Sequence, residues 1–153
     1  LRRALANTTR FKIRRVGPLE IIDDTYNANP ASMKAALDAL AERSGAGKRI
    51  AVLGDMFELG ESAEELHRQI GEYAANRSID VLFAMGQHAC AMIDAAKATG
   101  IPRAETFNAH PAIAEAVLAS ANQGDIVLVK GSRGMRMEQV IESLENRCHP
   151  GIC

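Results

Sequence analysis

The sequence predicts an α/β fold: a Rossmann-like, doubly wound, mostly parallel sheet with helices on both faces and an antiparallel hairpin near its N-terminus. Three observations predict it. Short β-branched runs alternate with longer amphipathic segments, the pattern of right-handed βαβ crossovers. Runs such as Asp125-Ile-Val-Leu-Val-Lys130 are apolar without interruption, as strands covered on both faces are. Finally, 153 residues with 47% hydrophobic and 24% charged side chains suit one domain, residues 1–153, with one core. At this length folding buries roughly 68–70% of the unfolded surface.

The elements follow in order. Phe11-Lys-Ile-Arg-Arg-Val16 alternates with period two, as a half-exposed strand does, and Gly17-Pro18 turns it into Leu19–Ile22. Asp23-Asp-Thr-Tyr-Asn-Ala-Asn-Pro30 is a polar loop, and Asn29-Pro30 suits a helix start. Met33, Ala36, Leu37 and Leu40 have helical spacing over Pro30 to about Ala41, and Gly45-Ala-Gly47 ends that helix. Arg49–Gly54 reads as a buried strand. A helix is expected from Ser62 to about Asn76, with Ser62 and Glu65 forming a capping box. Then come a strand at Val81–Met85, a helix at His88–Ala98 and a short strand near Ala104–Phe107. A helix from Pro111 to about Ala121, the Asp125–Lys130 strand and a helix from Met135 to Asn146 complete the pattern, before a Cys148–Cys153 tail.

Composition excludes several classes. Net charge is −1, from 18 basic and 19 acidic residues, which gives no bulk field for nucleic acid or anionic lipid. The imbalance is local, with six basic groups in the first fifteen residues. No apolar run approaches the ~20 residues that span a bilayer, and the opening residues lack a secretory pattern. Three cysteines, Cys90, Cys148 and Cys153, form no Cys-x-x-Cys pair, which argues for a reducing cytosol and against a disulfide framework or thiolate zinc site. None of the four histidines has metal-ligand spacing to a second His or Cys. His67 could orient the Asp55–Glu58 loop, although a structural histidine is the simpler expectation. Cys90 fits the apolar face of a helix.

Ligands of open α/β sheets bind at the carboxyl ends of the strands. Those ends deliver Asp23, Asp24, Thr25, Tyr26, Asn27 and Asn29; then Gly54–Glu58; then Gly86, Gln87 and His88; then Lys130-Gly-Ser-Arg-Gly134. Carboxylates beside amides can bind ribose hydroxyls, or they can simply favour a helix N-terminus. The last segment puts two cations, a hydroxyl and two glycines at a strand-to-helix turn, which suits a carboxylate or phosphate, or else a solvated turn. Gly45-Ala-Gly-Lys48-Arg49 is no P-loop, because Glu42 and Arg49 occupy positions that need Gly and Ser/Thr.

Three of these segments, in order and each at a strand end, carry a resemblance: Asp23-Asp-Thr-Tyr-Asn-Ala-Asn-Pro-Ala-Ser-Met33, Gly54-Asp-Met-Phe-Glu-Leu-Gly60 and Val129-Lys-Gly-Ser-Arg133. The chain from about Arg10 to Asn146 resembles the C-terminal domain of the Mur ligases, ATP-dependent amide-forming enzymes of peptidoglycan precursor synthesis. The second and third segments resemble the branch that joins D-Ala-D-Ala to UDP-N-acetylmuramoyl-tripeptide. The resemblance implies a domain that swings onto an ATPase domain, closes the ATP site, excludes water from an acyl phosphate and presents the incoming dipeptide. It further implies a cytoplasmic monomer, partnered by neither nucleic acid nor membrane, whose UDP-binding and ATPase domains lie outside this chain. Alone, the chain is expected to be inactive, since it lacks a P-loop.

Residue by residue, the resemblance gives Arg10 to the ATP phosphates and Asp24 to the nucleotide, at its ribose. Asn27 and Asn29 become candidates for nucleotide or interdomain contacts, and Lys130, Ser132 and Arg133 for the incoming dipeptide. Mg2+ is implied with ATP, but its ligands are expected from the ATPase domain, so no metal site is expected here. The Mur branch that adds a diamino acid often has a histidine in the first loop, where this sequence has Asn27 or Asn29. Another Mur ligase or a folylpolyglutamate synthase-like enzyme is the near alternative. A phosphoacceptor receiver using Asp23, Asp24, Asp55 and Lys130 is the distant one.

Overall fold

The computed structural model describes residues 11–43, 45 and 47–148. Their strands are β1 (Lys12–Val16), β2 (Leu19–Asp24), β3 (Arg49–Leu53), β4 (Val81–Met85), β5 (Arg103–Phe107) and β6 (Ile126–Lys130). The helices are α1 (Pro30–Glu42), α2 (Ala63–Asn76), α3 (Ala89–Thr99), α4 (His110–Ser120) and α5 (Glu138–Arg147), with 3-10 turns at Gly60–Ser62 and Arg133–Met135. The strands make one sheet in the order β1-β2-β6-β3-β4-β5, antiparallel between β1 and β2 and parallel elsewhere.

Alternating side chains divide the core into two layers. On one face Ile22, Ala51, Leu53, Leu82 and Leu128 pack under α1, α2 and α3. On the other, Ile21, Ile50, Val52, Phe83, Val127 and Val129 pack under α4 and α5. This period-two division within continuously apolar strands is what a doubly covered parallel sheet requires. The chain runs outward from β3 to β5 and returns to insert β6 between β2 and β3. That reversal is the topological switch where open α/β sheets hold ligands. Register sets Asp24 opposite Lys130, and Lys130 opposite Leu53, so three strands end level there.

Four local expectations need correction. β1 is an edge strand, paired with β2 alone, and Lys12 to Arg15 are exposed on both faces, including Ile13 at 44%. The α2 start has no capping box. The chain enters α2 through the Gly60–Ser62 turn, so Ser62 is not extended (φ −85°, ψ 1°) and its hydroxyl caps nothing. The last helix starts at Glu138 instead of Met135, because Arg136 takes a left-handed conformation (φ 53°) after the 3-10 turn. Finally, Cys90, expected on the apolar face of a helix, is exposed on α3, and Cys148, expected to be a thiol, is disulfide-bonded.

Candidate functional site

The β2–α1 loop starts with two buried-to-half-buried carboxylates that have different partners. The Asp23 carboxylate pairs with Arg14 at 2.8 Å and accepts from the Thr25 hydroxyl at 2.8 Å, which ties the hairpin to the loop. The Asp24 carboxylate receives the Lys130 ammonium at 2.9 Å. Lys130 is only 2% exposed, and it also donates to the Asn27 carbonyl at 2.9 Å. Two residues given separate ligands by the sequence thus form one ion pair bridging β2 and β6. Two of the ammonium's three donors are engaged inside the chain.

Asn29 caps α1. Its side-chain oxygen accepts from the Ser32 N–H at 2.8 Å, and the Ser32 hydroxyl accepts from the Asn29 N–H at 3.0 Å. Asn27 is exposed beside it, as is Asn29. The accessible edge of Asp24 can accept from hydroxyl groups, such as those of a ribose, and the two carboxamides can both donate and accept.

The loop after β6 is braced from below and open above. Ser132 is 2% exposed; its hydroxyl accepts from the Phe57 N–H at 2.8 Å and donates to the Ala28 carbonyl at 3.4 Å. Its own N–H donates to the Asp55 carbonyl at 2.9 Å. Ser132 therefore joins the loops after β2, β3 and β6. Gly131 and Gly54 have a packing reason, since a Cβ on either would strike the Met137 side chain. Arg133 is exposed, and its guanidinium lies over the Tyr26 ring at 5.3 Å. Because α5 begins beyond Arg136, the turn is not a helix N-terminus, and the expected dipole contribution to anion binding is missing there.

Next to this loop, a cleft of about 360 Å³ lies between the Asp55–Gly60 loop, Ala63 and the Gln87–His88 turn. Its floor is a buried network. The Asp55 carboxylate, 5% exposed, accepts from the Gln87 N–H at 2.7 Å and the His88 N–H at 3.1 Å. Gly86 is required behind it: its φ is +128°, and a Cβ would collide with that carboxylate. His67 is fully buried, with Nε2 accepting from the Met56 N–H at 2.9 Å. The other ring nitrogen, Nδ1, lies 2.6 Å from the Ala63 carbonyl and donates to it. Burial lowers the His67 pKa below its ordinary 6.5, against raising contributions from the Ala63 carbonyl and Asp55, and nearby His88 lowers it further. The His67 and His88 rings sit 4.6 Å apart.

The structure thus gathers Asp24, Asn27, Asn29, Lys130, Ser132 and Arg133 at one rim. Arg10 lies outside the described residues. Sequence reasoning missed the Tyr26–Arg133 stack and the depth of the Asp55–His67 network, because nothing in residue spacing marks either. It favoured a structural role for His67 over orienting the Asp55–Glu58 loop; the hydrogen bond from the Met56 N–H ties the ring to that loop. Both oxygens of Asp55, the residue a phosphoacceptor reading would need, accept from backbone N–H groups. Among the described residues no group of three or more His, Cys, Asp or Glu is placed to hold a metal, and no helix is long and apolar enough to cross a membrane.

Known proteins share this fold. The family described as Mur ligase, glutamate ligase domain matches residues 9–133. The chain is 37% identical over 127 residues to the UDP-N-acetylmuramoyl-tripeptide--D-alanyl-D-alanine ligase of Bacillus subtilis, covering 82% of this chain and 28% of that protein. It is 39% identical over 135 residues to the ligase of the same name from Escherichia coli, covering 87% and 28%. Among solved structures, the MurF ligase from Thermotoga maritima in complex with ADP superimposes with a TM-score of 0.77 at 31% identity, over 90% of this chain and 30% of that one. A MurF crystal structure from Acinetobacter baumannii gives 0.78 at 31%, over 91% and 31%. The chain spans less than a third of the length of these curated relatives. Matched over most of its length by the family and by relatives above 30% identity, the chain belongs to the Mur ligases, as their glutamate ligase domain.

Proposed function

We propose that the chain is the C-terminal part of the ligase that adds D-Ala-D-Ala to UDP-N-acetylmuramoyl-tripeptide, using ATP with Mg2+ in the cytoplasm, where that precursor is made. The observation that carries this reading is the identity of 37% over 127 residues and 39% over 135 residues to ligases of that name. ATP phosphorylates the tripeptide's terminal carboxylate, and the dipeptide amine attacks the acyl phosphate to give amide, ADP and phosphate. This chain's residues bind and orient. Asp24, with Asn27 and Asn29, faces the nucleotide ribose, and Arg10 reaches toward the phosphates. Lys130 holds Asp24 and the Asn27 carbonyl in place. Ser132 fixes Phe57 at the mouth of the cleft. Arg133, stacked on Tyr26, is the exposed cation of the turn and suits the dipeptide carboxylate, with Lys130 adding positive potential from below. The magnesium ligands belong to the rest of the ligase, and the protein acts as a monomer.

The test is product analysis with the full-length protein. ATP and Mg2+ are supplied with UDP-muramoyl-tripeptide and D-Ala-D-Ala, or with the correspondingly shorter UDP-muramoyl acceptor and L-Ala, D-Glu or meso-diaminopimelate, or with a folate acceptor and glutamate. The reading requires ATP-dependent product from D-Ala-D-Ala, at a kcat/KM at least a hundredfold above any other amine. Preference for a single amino acid would place the chain in another branch of the family.

A further inference from the structure

Resting on that reading, we propose that His67 is a positioning residue for the ligation: by accepting the Met56 N–H it holds the Asp55–Glu58 loop against the Gln87–His88 turn, keeping the cleft between them formed for the incoming dipeptide. His67 lies on α2, outside both loops, yet it is fully buried beneath them. Its two nitrogens have fixed roles. Nδ1 donates to Ala63 within its own helix, which orients the ring, and this leaves Nε2 as an acceptor aimed at Met56. Met56 follows Asp55, whose carboxylate reaches across to the Gln87 and His88 N–H groups. The carboxylate oxygen nearest His67 is 3.7 Å from Nε2, so ring and carboxylate pack without a direct hydrogen bond. One side of the cleft is therefore registered against the other by the Asp55 carboxylate, and the imidazole acceptor fixes the amide that follows it. The neighbouring Phe57 N–H is held from the opposite side by Ser132, so the loop is pinned at two consecutive amides.

A leucine at this position has similar bulk but no acceptor, and it leaves the Met56 N–H buried and unpaired. A glutamine can place its Oε1 near the Nε2 position and accept that N–H. The experiment compares His67→Leu and His67→Gln in the full-length protein, by amide deuterium exchange over residues 55–60 and 86–89 and by steady-state kinetics. In His67→Leu, both segments should exchange faster and the KM for D-Ala-D-Ala should rise about tenfold or more, while the KM for ATP stays within about twofold. In His67→Gln, exchange and both KM values should return toward wild type. Unchanged exchange in His67→Leu, or an equal rise in both KM values, overturns the proposal. Should His67→Leu not fold, His67→Gln decides alone: near-wild-type exchange and KM support the proposal, and a tenfold loss overturns it. If the exchange results hold but the wild-type protein does not use D-Ala-D-Ala, the functional reading has failed and the positioning role stands.

Discussion

The part-buried Asp24–Lys130 ion pair is the contact on which the rim turns, and it joins side chains 106 positions apart. A partly buried carboxylate that loses its partner retains its desolvation penalty without the compensating bond. Lys130→Met should therefore lower stability by about 1–3 kcal/mol, measured by urea unfolding, and release the Asn27 carbonyl as well. Unchanged stability would mean that Lys130 is free to serve a ligand directly. His67 makes a second prediction, in pH. Its folded pKa is depressed below 6.5, so on acidification the unfolded chain takes up the proton first. Its contribution is fully present above about pH 6.5 and is lost as pH falls toward the folded value. Melting temperature should decline over that window, and His67→Gln should flatten part of the decline; an identical slope in the variant would show that other groups carry it. The sequence supplied Asp24, Lys130 and His67 as candidates, but not their pairings, since contacts across such separations leave no periodic trace.

At the scale of elements, legibility depended on whether propensity and tertiary packing agreed. The Pro30–Glu42 helix could be read because Asn29, Pro30 and the Met33–Leu40 stripe all point the same way, and the structure adds a capping box with Ser32. The α5 start was misplaced because Met137 is buried against Gly54 and Gly131 while the exposed Arg136 before it takes a left-handed conformation. Ser62 misled for the same reason, its hydroxyl overridden by a 3-10 entry. The contact between α2 and α3 gives the test at this scale. Gly71 meets the Met92 carbonyl so closely that a Cβ has no room, so Gly71→Ala must push the helices apart. A loss of about 1–3 kcal/mol by urea unfolding is expected, despite alanine's better helix propensity. A gain in stability would show that the helices separate freely.

Across the whole molecule, the fold was legible because each strand's apolar run and each helix's stripe agreed on a doubly covered sheet, and loop composition marked its carboxyl rim. The division of that rim was not legible. Its buried part (Lys130, Ser132, Asp55 and His67) braces the loops, and its exposed part is Asn27, Tyr26, Phe57 and Arg133. The central claim is that this exposed part, through Arg133, receives the carboxylate of D-Ala-D-Ala. A charge-assisted hydrogen bond is worth about 1.5–3 kcal/mol. The carboxylate's charge does not change as the distant amine attacks, so the loss should fall on KM rather than kcat. The measurement is steady-state kinetics of Arg133→Ala in the full-length protein, against dipeptide and ATP separately. The account predicts a KM for D-Ala-D-Ala raised roughly ten- to a hundredfold, with kcat and the KM for ATP little changed. A raised KM for ATP with that for the dipeptide unmoved would contradict it and assign Arg133 to the nucleotide.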